Sequence, residues 1–187
     1  VLLTQILLDI FPRLIFCINL IDDEVCIIGL DNNDYLFYLK MNNDNKIKYQ
    51  IFNKLDFEPK KAFFIKDKLF FLDIDNSIFE IDINNNFLIH NSYKINFLKF
   101  QIDKYNLKDI YISDIIYSPL YDYLYLLINN QYIAVINISK DDLFNISYIY
   151  DTDRLFEKIF LSDDNQFIIA KSQVNAFSSL ILKITSH

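Results

Sequence analysis

Apolar residues in this chain come in short dense runs. Val, Ile, Leu, Phe and Tyr cluster together, and groups of Asn, Asp and Ser separate the clusters. Strand formers punctuated in this way predict β-strands joined by tight turns. Helical spacing is confined to the first eleven residues and to residues 96–108.

Four runs repeat one design: residues 24–41 (EVCIIGLDNNDYLFYLKM), 68–83 (KLFFLDIDNSIFEIDI), 123–138 (YLYLLINNQYIAVINI) and 166–185 (QFIIAKSQVNAFSSLILKIT). Each is an apolar strand, a polar turn and a second apolar strand, so each reads as a hairpin. Their first apolar residues, Val25, Leu69, Leu124 and Phe167, are spaced by 44, 55 and 43 residues. The long middle interval holds an apparent insertion, residues 96–107. Without it the period is about 43, the length of a four-stranded propeller blade. A further strand precedes each hairpin, at residues 13–21, 60–67, 109–120 and 155–163. An outer strand follows three of them, at 47–52, 87–95 and 143–151. A run such as Leu69-Phe70-Phe71-Leu72 does not alternate with polar residues. It suits a sheet covered on both faces, as stacked blades are.

The third unit, IIYSPLYDYLYLLINNQYIAVINI, resembles a WD40 repeat. Ser118-Pro119 stands where such repeats carry Ser-Pro before the second strand, and Asp82 stands where they carry Asp after Trp. No unit has Gly-His or Trp-Asp. The resemblance implies an all-β propeller of about four four-stranded antiparallel blades, part of a larger ring. Its expected parts are an N-terminal strand or helix (1–12), blade 1 (13–57), blade 2 (58–95), the insertion (96–107), blade 3 (108–153) and an incomplete blade 4 (154–187).

Composition sharpens this picture. Of 187 residues 52% are hydrophobic and 17% aromatic, which excludes a disordered chain. Net charge is -7, and no basic stripe offers itself to nucleic acid. Gly occurs once and Trp never, while Asn, Ile, Lys and Asp abound. That usage points to an A+T-rich genome, in which signatures built on Gly or Trp are easily lost. Cys17 and Cys26 are too few for a disulfide framework and lack zinc spacing. They read as reduced core thiols, consistent with an intracellular protein, cytoplasmic or nuclear. No run is long enough for a spanning helix, so no membrane insertion is expected.

Candidate chemistry starts with the acids of residues 68–86. Asp73 and Asp75 beside Asn76 and Ser77 fail the calcium-loop pattern, because Ile78 and Asn84 stand where Gly and Glu are needed. They read as turn residues, and Glu80 and Asp82 as structural. His90 and His187 are the only histidines, and no catalytic triad or phosphate loop is present. Charges on the predicted inner strands are Arg13, Lys60, Lys61, Asp109, Asp114, Glu157 and Lys158. The expectation is therefore no catalytic, metal or cofactor site. The role expected is a protein–protein scaffold within a larger intracellular complex. Its partners would dock on the acidic, Asn-rich turn face that includes Asp31, Asp34, Asp75, Asn76, Asn129, Asn130 and residues 172–175. The alternative is a ligand-binding or catalytic propeller with its site at the central channel. The tyrosine-rich residues 117–125 are a further candidate surface, against the plainer reading of core packing.

Overall fold

The computed structural model describes residues 12–21, 24–41, 47–66, 68–82, 88–97, 109–139, 144–172 and 179–184. All of the expected N-terminal segment but Pro12 and all but the first two residues of the insertion lie outside them, as does the turn at 173–178. So do residues 42–46, 83–87 and 140–143. Every regular element among the described residues is a β-strand.

The strands form four antiparallel sheets in chain order. Blade 1 holds β1 (Pro12–Ile21), β2 (Glu24–Asp31), β3 (Tyr35–Met41) and β4 (Ile47–Lys54). Blade 2 holds β5 (Pro59–Ile65), β6 (Lys68–Asp73), β7 (Ser77–Asp82) and β8 (Leu88–Lys94). Blade 3 holds β9 (Ile112–Ser118), β10 (Tyr123–Ile128), β11 (Tyr132–Asn137) and β12 (Ile146–Asp151). Blade 4 holds three described strands, β13 (Phe156–Leu161), β14 (Phe167–Ser172) and β15 (Ser179–Lys183). The first strands of successive blades lie side by side, β1 against β5, β5 against β9 and β9 against β13. They are the inner strands of a radial stack, the arrangement of a β-propeller.

Burial explains the sequence pattern. β10 is buried at every position, and β6 at all but Lys68. One side of each packs on the preceding blade and the other on the following one. Leu124, Leu126 and Ile128 meet Phe63, Phe70 and Leu72 of blade 2. Tyr123, Tyr125 and Leu127 meet Ile159, Ile168 and Ala170 of blade 4. Each buried Leu, Ile or Phe contributes about 1.5–3 kcal/mol. A third core, around Ile28, Leu36, Leu69 and Phe71, joins blades 1 and 2. The outer strand β8, by contrast, is exposed at every position but Tyr93.

The turns show what takes the place of glycine. Among the described residues, positive φ occurs at Asp34, Lys66, Asn76, Asp122, Asn129, Asn130, Phe144, Asp153 and Asn165. Seven of these nine are Asn or Asp, the types that best tolerate the left-handed region after Gly. At these described turns Asn and Asp thus serve the geometry that the backbone requires. Cys17 and Cys26 fall in β1 and β2, and their side chains lie outside the described residues.

Candidate functional site

The inner strands share an irregularity that the sequence did not announce. Each carries a β-bulge at its first pairing step. Pro12 pairs with Asp31 and Leu14 with Leu30, leaving Arg13 extra. The same count leaves Lys60 extra in β5, Ser113 in β9 and Glu157 in β13. A bulge tightens the local twist and re-aims its side chains. Three of the charges that look scattered in the sequence, Arg13, Lys60 and Glu157, therefore occupy one equivalent position, which Ser113 takes in blade 3.

The inner strands line a solvent-open axial cavity of about 890 Å³. Lys60 and Lys61 of β5, Asp114 of β9 and Lys158 of β13 line it, with Ser113 and Tyr117. Lys61 Nζ donates to Asp114 Oδ1 in an ion pair, and also to the Ile115 carbonyl at 2.7 Å. Asp114 Oδ1 accepts from the Ile115 N–H at 3.0 Å, and Oδ2 from the Ile159 N–H at 3.0 Å. One buried carboxylate thereby ties blades 2, 3 and 4 together at the axis. Lys60 Nζ donates to the Ile112 carbonyl and lies 5.7 Å from the Tyr111 ring centre. Burial lowers the Lys60 pKa, and the nearby Asp114 charge pulls it back up. Of the other predicted inner-strand charges, Arg13 pairs with Asp34 on the turn face. Glu157 does not line the cavity. Asp109 precedes β9, where its carbonyl accepts from Asn129 Nδ2 at 2.8 Å.

The acids of residues 68–86 are structural in their contacts. Asp73 Oδ1 accepts the Ser77 N–H at 2.7 Å and closes its own hairpin. Asp31 does the same in blade 1, accepting from Asn33 and Tyr35 at 2.8 and 2.9 Å. Glu80 is buried and accepts from Lys68 Nζ, Asn91 Nδ2 and Tyr93 Oη at 2.7, 2.8 and 2.7 Å. Burial pushes its carboxyl up, but those bonds and the Lys68 charge outweigh it and hold the pKa at about 2. Asp82 is half-buried at the end of β7. On the turn face, Asp34 faces Arg13 at 2.5 Å and Lys54 at 3.9 Å. Asp75 is exposed. Two of the three acids expected to meet a partner there are thus engaged inside the molecule. Asn76 is engaged as well. Its side chain donates to the Ile110 carbonyl and accepts the Ile112 N–H, both at 2.9 Å, joining blade 2 to blade 3.

A second cavity, about 320 Å³, opens between the outer parts of blades 3 and 4. Tyr123, Tyr125, Tyr148 and Tyr150 line it on one side and Leu182 and Ile184 on the other. Tyr125 is 3% exposed and its hydroxyl has no partner among the described residues. Burial raises its pKa, and the neighbouring tyrosines add to the effect. β15 pairs with β14 on one side, and no described strand pairs with its other edge. Ile181 on that strand is 63% exposed. Within residues 117–125, Tyr123 and Tyr125 are core, whereas Tyr117 donates to Asp122 Oδ1 at 2.7 Å.

Among the described residues, no three His, Cys, Asp or Glu are grouped to hold a metal ion. No helix there is long and apolar enough to cross a membrane.

No protein-family model matches the chain, and no curated protein matches it. Solved structures do. The chain is similar to BBS1N, seen in a crystal structure in complex with ARL6DN and soaked with lead. The TM-score is 0.53 at 10% identity, over 88% of this chain and 46% of that one. It is also similar to a putative 6-phosphogluconolactonase from Bacteroides fragilis. There the TM-score is 0.58 at 14% identity, over 91% of this chain and 51% of that one. These likenesses show the fold, a β-propeller, and they do not carry the WD40 resemblance further. The chain spans about half the length of each.

Proposed function

We propose that the four blades are part of a larger WD40-like ring and serve as a non-catalytic scaffold in an intracellular multi-subunit complex. The observation that carries this reading is the tyrosine groove beside the outer edge of β15, which no described strand pairs. A free strand edge offers main-chain donors and acceptors to an extended peptide, and flanking pockets select its side chains. Tyr148, Tyr150 and Ile181, all more than 40% exposed, supply the aromatic and apolar contact that such docking uses. The partner segment fitting this place is an extended strand with apolar side chains at alternate positions. A protein seen bound to another, BBS1N with ARL6DN, lends the reading support. The acidic turn face is a weaker docking surface, since Asp31, Asp34 and Asn76 already have partners within the chain.

The axial charges support the non-catalytic part of the proposal. General acid–base work needs a titratable group with a free side facing substrate, and both Asp114 oxygens accept hydrogen bonds within the fold.

The test is affinity purification of the tagged full-length protein from its own cells, beside a Tyr150→Asp/Ile181→Asp variant. The wild type is expected to bring down a defined set of proteins in fixed stoichiometry, and the variant to lose at least one of them. A wild type that elutes as a lone monomer, or a variant with an unchanged set, contradicts the proposal.

A further inference from the structure

We infer that the axial cavity is a binding site for a small polyvalent oxyanion, a ligand carrying phosphoryl or clustered carboxylate groups. The inference stands apart from the docking groove and does not depend on it. It follows from counting donors and acceptors around one level of the axis.

Three lysines line the cavity, Lys60, Lys61 and Lys158. A lysine has three N–H donors and no acceptor. Lys60 spends one, on the Ile112 carbonyl. Lys61 spends two, on Asp114 and the Ile115 carbonyl. Lys158 is exposed and makes no hydrogen bond or ion pair with a described residue. The Ser113 hydroxyl accepts the Asn130 N–H at 2.9 Å, which leaves its own proton to give. Against these donors, among the described residues lining the cavity, stands one carboxylate, Asp114, with both oxygens already used. The bulge residue Glu157 is the nearest acid in sequence to Lys158, and it does not line the cavity. The far mouth holds Lys66, which pairs with Asp122 at 3.1 Å and adds no free charge.

The result is a concave, donor-rich and acceptor-poor site with a cationic surplus, inside a chain whose net charge is -7. Like charges held in one cavity repel, and an oxyanion with several acceptor oxygens relieves this while forming charge-assisted bonds to each ammonium. At about 890 Å³ the cavity falls in the size range of small-molecule sites.

The test is calorimetric titration of the purified full-length protein with inorganic pyrophosphate and, separately, with citrate. The wild type and a Lys60→Gln/Lys158→Gln variant are compared. One saturable site is expected for at least one probe, and the one bound tells phosphoryl from carboxylate recognition. The double variant is expected to bind it at least about tenfold more weakly. Affinity should fall as sodium chloride rises. Lys158→Gln alone, at an exposed position, guards against misfolding of the double variant and should also weaken binding. Absence of saturable binding to both probes overturns the inference. So does binding that the Lys158→Gln substitution and added salt both leave unchanged.

Discussion

The seam between blades 2 and 3 and the seam between blades 3 and 4 use opposite faces of one sheet, yet they end differently. Both begin at the axis on Asp114, and both are filled through their middle by β10. At the outer rim the first is sealed. Phe144 is fully buried there, 4.8 Å from the Tyr93 ring and 6.2 Å from Phe70. The second opens into the tyrosine groove. The difference lies in the neighbour. Blade 2 has a fourth strand, β8, whose Tyr93 and Asn91 reach in to Glu80. Blade 4 presents no fourth strand among its described residues. A propeller face is thus closed or available according to whether the adjoining outer strand is in place.

Perturbing each seam should reveal this asymmetry. The largest effect is expected for Phe144→Ala, which empties the sealed rim. It should cost about 4 kcal/mol, read from urea denaturation. Asp114→Ala comes next, because it leaves Lys61 and the Ile159 N–H without their partner. A loss of about 3 kcal/mol is expected, by the same measurement.

Acid should act on the sealed seam third. The Glu80 pKa falls from 4.5 unfolded to about 2 folded. Its contribution is therefore complete above the unfolded value and is lost as pH drops from about 4.5 towards 2. About 2 kcal/mol is at stake once the exposure of Lys68 is allowed for. Glu80→Gln should flatten that part of the stability–pH curve. In the open seam, Tyr125→Phe removes a buried hydroxyl that lacks a partner among the described residues, and should stabilise by about 1 kcal/mol. Tyr148→Ser lies on the exposed groove wall and should change stability by no more than about 0.5 kcal/mol.

How much of this was legible in the sequence follows from the range of the interactions. Strand runs and turns are local, so the four hairpins and the blade period could be read directly. β10 shows why, since an apolar run buried on both faces is its own signal. Hairpin acids were legible for the same reason: Asp73 caps Ser77 only four residues away. The Glu80 network was not, because its partners Asn91 and Tyr93 are set by the register of β8, which itself contains a bulge. The axial cluster was least legible. Lys61 and Asp114 are 53 residues apart, and a bulge in each strand decides where their side chains point. Lys60, Lys61, Asp114 and Lys158 were visible as inner-strand charges, but their convergence was not.

The proposal to be tested is that a partner strand fills the outer edge of β15, which no described strand pairs. Amide hydrogen exchange tests it most directly, comparing the isolated protein with the assembly purified from its own cells. The account predicts slow exchange across Tyr123–Ile128 in both samples. It predicts fast exchange across Ser179–Lys183 in the isolated protein and slow exchange there in the assembly. Equal exchange across Ser179–Lys183 in the two samples, whether slow or fast, would contradict it.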